Sequence, residues 1–280
     1  MNTVDAIRVS RCAGALGAEI AGVDLAAPLG ESLIDALRRI WLEHGVIFFR
    51  DQNLSPAQFA ATARRFGEPV EYPFVKGLPD HPEIIEVIKR EHETVNFGGV
   101  WHSDTAYLER PPMATMLLAR ETPPYGGDTL FANQYLAWET LSEGMRGMLT
   151  RLRCLNSSDK ADVSRTREDR VRENAAPLAK QRYAAAHPVA RTHPETGRVS
   201  LYVNVAHALR FEGMSEEESA PILGYLFAHQ VKPEFTCRFQ WRPGSLALWD
   251  NRCTLHNPVN DYHGSRRAML RITLAGDAPV

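Results

Sequence analysis

Apolar positions recur at helical spacing in several stretches of the chain. From residue 31 to 44 they fall at every third or fourth position, which predicts an amphipathic helix that ends at Gly45. Ser55 is followed by proline, and this pair predicts the N-cap and first position of a second helix. Ser142 and Ser215 stand where two later helices would begin. The sequence therefore predicts a small number of helices among stretches of a different pattern.

That other pattern consists of short apolar runs bounded by glycine and proline, which predict strands. The runs lie at 46–50, 84–88, 113–119, 128–131, 200–203, 235–241, 245–249 and 267–274. No internal repeat and no linker interrupts them. We therefore predict a single domain over residues 1–280 that is mainly β with flanking helices, either a β-sandwich or a jelly roll.

One segment fits neither pattern. Residues 157–182 contain seven basic and five acidic side chains and few large apolar ones. A long segment of this kind inside a compact domain is either a mobile lid or a plain surface excursion. The sequence leaves both interpretations open.

The composition restricts the functional classes. The chain has 280 residues, of which 44% are hydrophobic and 24% charged, as is usual for a globular protein. A net charge of −2 gives no basic footprint for nucleic acid or for a membrane surface. The N-terminus lacks the apolar core of a signal peptide, and the four cysteines form no CxxC pair. We therefore expect a cytoplasmic protein with reduced thiols and with neither a nucleic-acid nor a membrane partner.

Candidate metal ligands lie at His102 and Asp104. If this segment is a strand, positions i and i+2 face the same side, so both side chains could reach one ion. His256 can supply a third ligand from near the other end of the chain. Two imidazoles and one carboxylate, with further positions open, form the ligand set of non-haem Fe(II) oxygenases. His187 and His207 have no partner that the sequence identifies.

Two arginines follow close behind the last of these residues. In a strand over 267–274, Arg267 and Arg271 share one face and lie about 13 Å apart by the rise per residue. The planar guanidinium binds carboxylate or sulfonate oxygens in a bidentate manner. The pair could therefore hold two different anions, and the alternative is two surface arginines on an edge strand.

Together these residues resemble one family, the taurine dioxygenase/2,4-D dioxygenase family of Fe(II)- and 2-oxoglutarate-dependent oxygenases. The motifs that carry the resemblance are Trp101-His102-Ser103-Asp104, Gly126-Gly127-Asp128-Thr129, Trp249-Asp250-Asn251-Arg252, His256 and the Arg267/Arg271 pair. The motifs occur in the family's order and at its spacing, and the resemblance covers nearly the whole chain.

The resemblance implies a fold, a set of cofactors and a reaction. The fold is a double-stranded β-helix, a cupin-like jelly roll, and dimers or tetramers are common in the family. His102, Asp104 and His256 would bind Fe(II), and Thr129 and Arg267 would bind 2-oxoglutarate. The enzyme would consume O2, convert 2-oxoglutarate to succinate and CO2, and hydroxylate a small organic anion. That anion would be a sulfonate, a sulfate ester or an aryloxy or alkyl carboxylate, whose product can collapse to an aldehyde or ketone.

The implied substrate pocket departs from that of taurine dioxygenase. Arg271 matches the position that holds the substrate's anionic head, and Tyr107 is assigned to the same pocket. However, a histidine of that enzyme is replaced here by Tyr72, an aromatic residue by Val75 and an asparagine by Gly98. These changes argue against taurine and for a longer or more apolar anion.

Three other functions use the same residues. One is hydroxylation of a free or carrier-bound amino acid. Another is a zinc hydrolase, because catalytic zinc also takes three protein ligands and a water, but this function leaves Arg267 and Thr129 without a role. The last is a protein that senses 2-oxoglutarate without turnover, in which we would expect a metal ligand to have been lost.

Overall fold

The structure, a computed structural model, describes residues 2–160 and 182–280, so most of the predicted lid segment 157–182 lies outside the described residues. The helices are α1 (Glu31–His44), α2 (Pro56–Arg64), α3 (Gln134–Glu139), α4 (Glu143–Leu149) and α5 (Glu216–His229). The strands are β1 (Arg8–Arg11), β2 (Ala18–Ala21), β3 (Val46–Phe49), β4 (Pro69–Val70), β5 (Ile84–Lys89), β6 (Ala114–Glu121), β7 (Thr129–Asn133), β8 (Arg153–Ser157), β9 (Ala184–Pro188), β10 (Ala190–Thr192), β11 (Val199–Leu201), β12 (Ala208–Phe211), β13 (Thr236–Phe239), β14 (Leu246–Asp250), β15 (Thr254–Pro258) and β16 (Arg267–Leu274). Within residues 2–160 and 182–280, no helix combines the length and the apolar character needed to cross a membrane.

Two sheets form the body of the molecule. The larger sheet has the strand order β1-β2-β3-β14-β6-β16-β4, with β5 also paired to β16, and the smaller sheet has the order β13-β7-β15. Phe48 of the larger sheet stacks on Phe239 of the smaller one, with 3.9 Å between the ring centroids. The sheets therefore pack face to face as a jelly roll, and the predicted mainly β fold with flanking helices is confirmed.

Strand alternation divides the interior into two layers. In β14, Leu246 and Leu248 join the core beneath α1 and α2, whereas Ala247 and Trp249 join the core between the two sheets. Successive side chains of a strand point to opposite faces, so a strand buried on both sides feeds both layers. This explains why the strand reads as a continuous apolar run in the sequence.

The last strand, β16, follows the same rule and brings charge into the interior. Leu270 and Ile272 face the helices, while Met269 lies in the core between the sheets. Arg267 and Arg271 share the face of Met269 and are each only 5% exposed. The prediction of one shared face is confirmed. The alternative of surface arginines on an edge strand is wrong, because β16 is hydrogen-bonded on both sides.

The predicted helix ends agree closely with the structure. Ser55 caps α2 in a reciprocal capping box with Gln58. Ser142 and Ser215 accept hydrogen bonds from the first turns of α4 and α5. Gly45 ends α1 with a φ of 70°, a conformation that glycine adopts without steric cost.

Candidate active site

Backbone pairing joins the two segments that carry the candidate metal ligands. His102 and His256 form an isolated antiparallel bridge, in which each amide donates to the other's carbonyl over 3.0 and 2.8 Å. Phe131 of β7 is the register partner of His256 and so ties it to the smaller sheet. The two imidazole rings consequently lie 4.1 Å apart between their centroids.

Asp104 reaches the same place by a different route from the one predicted. The expectation of a strand through His102 and Asp104 is wrong, because the chain leaves the bridge after His102 and Asp104 lies in a turn. Thr105 then adopts a φ of 42°, which is outside the strand region. The turn nevertheless brings Asp104 Oδ1 to 3.7 Å from His102 Nε2 and 3.8 Å from His256 Nε2.

The protonation states suit metal binding. The carbonyl of Val100 lies 2.7 Å from His102 Nδ1 and can only accept, so this nitrogen carries the proton and Nε2 keeps its lone pair. Burial lowers the pKa of both His102 and His256, which favours the neutral imidazole. Burial alone would raise the pKa of Asp104, but the charge of Arg271, with help from the Thr115 hydrogen bond, outweighs it and holds this pKa well below its usual range.

The donor atoms of His102, Asp104 and His256 all lie within 4.8 Å of one another. Two neutral imidazole nitrogens and one carboxylate oxygen suit Fe(II) and leave positions for other ligands. All three residues are buried, which keeps bulk water from the site. The donor set therefore fits an iron centre of the facial-triad type.

Arg267 and Thr129 form a second feature, which suits an organic dianion. Arg267 is buried, and its Nε and Nη2 atoms have no hydrogen-bond partner among residues 2–160 and 182–280. Its guanidinium lies 5.6 Å from the ring of Trp241, whose indole N–H donates to Thr129 Oγ1 over 2.9 Å. An indole only donates, so the Thr129 hydroxyl keeps its own proton for another acceptor. A buried cation with two N–H groups that lack a partner among the described residues, together with the Thr129 hydroxyl, fits a carboxylate of 2-oxoglutarate.

Arg271 lies between the candidate metal site and a group of aromatic rings. Its Nη2 is 2.9 Å from Asp104 Oδ1, and its guanidinium carbon is 5.0 Å from the ring centre of Tyr72 and 6.0 Å from that of Phe97. The position predicted to hold the substrate's anionic head is therefore buried and adjacent to the candidate ligands.

The aromatic rings form a continuous surface, which we call the aromatic wall. Its members share edge or stacking contacts with one another and are Tyr72, Phe74, Phe97, Tyr107 and Tyr183. Burial raises the pKa of both Tyr72 and Tyr107, so their hydroxyls stay protonated, and a hydrogen bond joins the two side chains. The sequence identified no partner for His207, and the structure places its ring centre 4.9 Å from that of Tyr107 and 6.4 Å from that of His102.

Gly98 has a physical reason for being glycine. Its φ is 70°, and a Cβ atom built there would lie 2.8 Å from Cε1 of His102. The asparagine that the family places at this position would therefore press on the imidazole unless the loop moved.

The structure also contains groups that sequence reasoning missed. Thr115 donates to Asp104 Oδ2 over 2.5 Å, and Asn251 donates to Thr115 over 3.0 Å. The signal for Thr115 was a single hydroxyl within the otherwise apolar run of β6.

His193 and Asp250 form a second buried group of potential ligands, together with Cys253. Arg252 and His193 already hydrogen-bond the Asp250 carboxylate, which identifies this group as a structural network.

A jelly roll that carries two imidazoles and a carboxylate between its sheets defines the class of non-haem iron oxygenases. The sequence profile of the Taurine catabolism dioxygenase TauD, TfdA family matches residues 8–273. An alkylsulfatase of Acinetobacter baylyi is 32% identical over 99% of this chain and 87% of the relative. An alpha-ketoglutarate-dependent sulfate ester dioxygenase of Pseudomonas putida is 33% identical over 96% of this chain and 89% of the relative.

A solved structure agrees with these matches. The crystal structure of a taurine dioxygenase from Burkholderia xenovorans superposes with a TM-score of 0.82 and 34% identity, covering 98% of this chain and 91% of that one. The chain belongs to the TauD/TfdA family. It is an Fe(II)- and 2-oxoglutarate-dependent dioxygenase that uses O2. The alternatives of a zinc hydrolase and of a sensor without turnover are thereby set aside.

Proposed function

We propose that this dioxygenase hydroxylates a small organic anion with an apolar tail, and that the head group is a sulfate ester or a sulfonate. The position of Arg271 carries the proposal, because its guanidinium lies between Asp104 and the aromatic wall. An anion paired with Arg271 therefore has the candidate metal site on one side and apolar rings on the other.

In this proposal His102, Asp104 and His256 bind Fe(II), while Arg267 and Thr129 bind the distal carboxylate of 2-oxoglutarate. Iron, 2-oxoglutarate and O2 together supply the oxidising power that hydroxylates a C–H bond, with release of succinate and CO2. The protein supplies the remaining functions, which are to bind both anions, orient them and keep water away from the buried site.

Arg271, Tyr72 and Tyr107 would bind the substrate's head group. A planar guanidinium pairs with two oxygens of a sulfate or sulfonate, and the protonated tyrosine hydroxyls can donate to the others. The rest of the wall offers apolar ring surface against which a carbon tail can pack.

The names of the relatives support a sulfate ester in particular, since one is an alkylsulfatase and another a sulfate ester dioxygenase. Hydroxylation of the carbon next to the ester oxygen gives an unstable product. Its C–O bond to sulfate breaks, the electron pair leaves with sulfate, the new hydroxyl loses its proton and an aldehyde forms. An aryloxy or alkyl carboxylate would use the same arginine with a different head group.

An anaerobic titration tests the proposal. Fe(II) and 2-oxoglutarate are added to the protein, and the visible charge-transfer band of the chelate is recorded. Linear alkyl sulfates, alkyl sulfonates, aryloxyacetates, taurine and free amino acids are then added in separate titrations. We expect the largest shift of the band with alkyl sulfates that have a tail of several carbons.

The R271L variant is the control for this titration. It should keep the band, because 2-oxoglutarate is assigned to Arg267, and lose the shift. If taurine or an amino acid shifts the band as strongly as the sulfates, the proposed substrate class is wrong. Absence of the band in the wild-type protein would contradict the assigned cofactor site.

A further inference from the structure

A chain of buried hydrogen bonds lies behind Asp104. Thr115 Oγ1 donates to Asp104 Oδ2 over 2.5 Å, Asn251 Nδ2 donates to Thr115 Oγ1 over 3.0 Å, and Trp249 Nε1 donates to Asn251 Oδ1 over 3.0 Å. The backbone amide of Asp104 also donates to Asn251 Oδ1, over 3.3 Å. None of the four residues is more than 4% exposed, so water does not compete for these bonds.

The direction of every bond in this chain is determined. An indole N–H can only donate, so the atom of Asn251 that faces Trp249 is its oxygen, and its NH2 group faces Thr115. Thr115 therefore accepts from Asn251, and the single hydroxyl proton of Thr115 points to the carboxylate. Oδ2 of Asp104 therefore accepts a hydrogen bond from the Thr115 hydroxyl, and the direction of that bond is fixed.

The other carboxylate oxygen has different surroundings. Oδ1 lies near both candidate imidazole nitrogens, His102 Nε2 and His256 Nε2, and it also forms an ion pair with Arg271, whose Nη2 is 2.9 Å away. The two oxygens of Asp104 are therefore distinguished by the protein itself: Oδ2 accepts the hydrogen bond from Thr115, whereas Oδ1 pairs with Arg271 and lies among the candidate ligand atoms.

We propose that Trp249, Asn251 and Thr115 are positioning residues that hold Asp104 as a ligand through one oxygen only. A carboxylate that bound through both oxygens would occupy a further coordination position, which an enzyme of this class needs for its cosubstrate and O2. The inference rests on the proposed function, since it takes Asp104 to be an iron ligand.

The sheet explains how the spacing of the chain of bonds is maintained. Thr115 of β6 and Trp249 of β14 are direct register partners in the larger sheet. Asn251 follows the end of β14, and its backbone amide donates to the carbonyl of Met113 over 2.8 Å. Two hydrogen-bonded strands thus fix the donor groups relative to Asp104, and hydrogen bonds behind metal ligands commonly act in this way.

Metal affinity separates a positioning role from a purely structural one. Binding of Mn(II) to the metal-free protein is measured from the electron paramagnetic resonance signal of the free ion. T115V removes the donor, and we expect it to weaken Mn(II) binding by about 10- to 100-fold. T115S keeps the hydroxyl and should restore most of the affinity. T62V is the matched control, because Thr62 is buried and hydrogen-bonded but lies in α2.

A spectrum supplies the second measurement. Co(II) bound to T115V should show a different visible absorption from Co(II) bound to the wild type, because the number of carboxylate oxygens at the metal changes. Wild-type Mn(II) affinity in T115V, or equal losses in T115S and T115V, would overturn the inference. If T115V does not fold, W249F removes a donor one step further along, and an unchanged affinity there would also overturn it.

The D104A variant separates the two proposals. Wild-type Mn(II) affinity in D104A would show that the proposed ligand set itself is wrong. Loss of binding in D104A together with wild-type affinity in T115V would leave the ligand set intact and remove only the positioning role.

Discussion

Replacement of Arg267 by methionine should weaken 2-oxoglutarate binding without harming the fold. The guanidinium is buried, and within the described residues its Nε and Nη2 atoms make no hydrogen bond. Burial also lowers the pKa of this group, which reflects the free-energy cost of keeping its charge away from water. Methionine has a similar length and no charge, so R267M removes the charge and fills much of the same space.

The magnitude follows from the number of bonds lost. Each charge-assisted hydrogen bond to a carboxylate contributes about 1.5–3 kcal/mol, and truncating one partner of a buried ion pair costs about 2–5 kcal/mol. Two bonds at the lower end give about 3 kcal/mol, which raises the Kd for 2-oxoglutarate by roughly a hundredfold. In the absence of ligand R267M should cost little stability, because well-packed apolar replacements of buried charged groups are often neutral or stabilising.

Thermal unfolding with and without 2-oxoglutarate, in the presence of Mn(II), measures both effects. At a ligand concentration of 100 times the wild-type Kd, the wild type should gain about 2.7 kcal/mol. R267M should gain only about 0.4 kcal/mol at the same concentration if its Kd is a hundredfold higher. R266M is the matched control, since the neighbouring Arg266 is partly exposed and pairs with Glu121 at the surface.

Two results would refute the reasoning about Arg267. A full ligand-induced gain in R267M would show that this arginine does not bind 2-oxoglutarate. A decrease of several kcal/mol in the free energy of unfolding of R267M without ligand would show that Arg267 stabilises the fold and is not simply an anion-binding group.

Three further predictions concern the pocket, the loop before it and the response to acid. R271L should lower kcat/KM for the anionic substrate by about a hundredfold, the equivalent of about 3 kcal/mol, while the Kd for 2-oxoglutarate stays within a few-fold of wild type. G98A should destabilise the protein by about 1–3 kcal/mol in urea unfolding and weaken Mn(II) binding, because the added Cβ is strained and presses on His102. Burial lowers the pKa of His187 to about 4, so the unfolded chain binds the extra proton between about pH 6.5 and pH 4 and stability falls as pH falls through that range. Between pH 7 and pH 4.5, the free energy of unfolding measured in urea should therefore fall by about 2–3 kcal/mol less in H187Q than in the wild type, and equal falls would contradict this account.

Periodicity predicted the parts of the site that lie within one strand. Arg267 and Arg271 could be placed on one face because side chains alternate along any strand. The helix ends at Ser55, Ser142 and Ser215 could be predicted because capping depends on a few neighbouring residues. In each case the interaction that determines the structure lies within a few positions of the residue concerned.

The remaining parts depend on pairings between distant segments. The strand predicted through His102 and Asp104 does not form, because His102 instead pairs with the backbone of His256. Thr115 is one hydroxyl in an apolar run, and it has a role only because β14 lies beside β6 and brings Asn251 to it. No local pattern reports such a neighbour, so the sequence indicated the candidate ligands but neither the turn that presents Asp104 nor the groups that hydrogen-bond its carboxylate.

The backbone pairing of His102 with His256 also bears on how the site is assembled. The reciprocal amide–carbonyl bonds between His102 and His256 involve only the backbone, and β15 is held in turn by β7. Asp104 is held separately, by the hydrogen bond from Thr115 and by the hydrogen bond that its own backbone amide donates to Asn251 Oδ1. The candidate ligand atoms are therefore brought together by hydrogen bonds that do not involve a metal, so little ordering of the chain would remain to be done on iron binding. Preorganisation of this kind lowers the free-energy cost of ordering the site on binding, and the affinity for the metal is correspondingly higher.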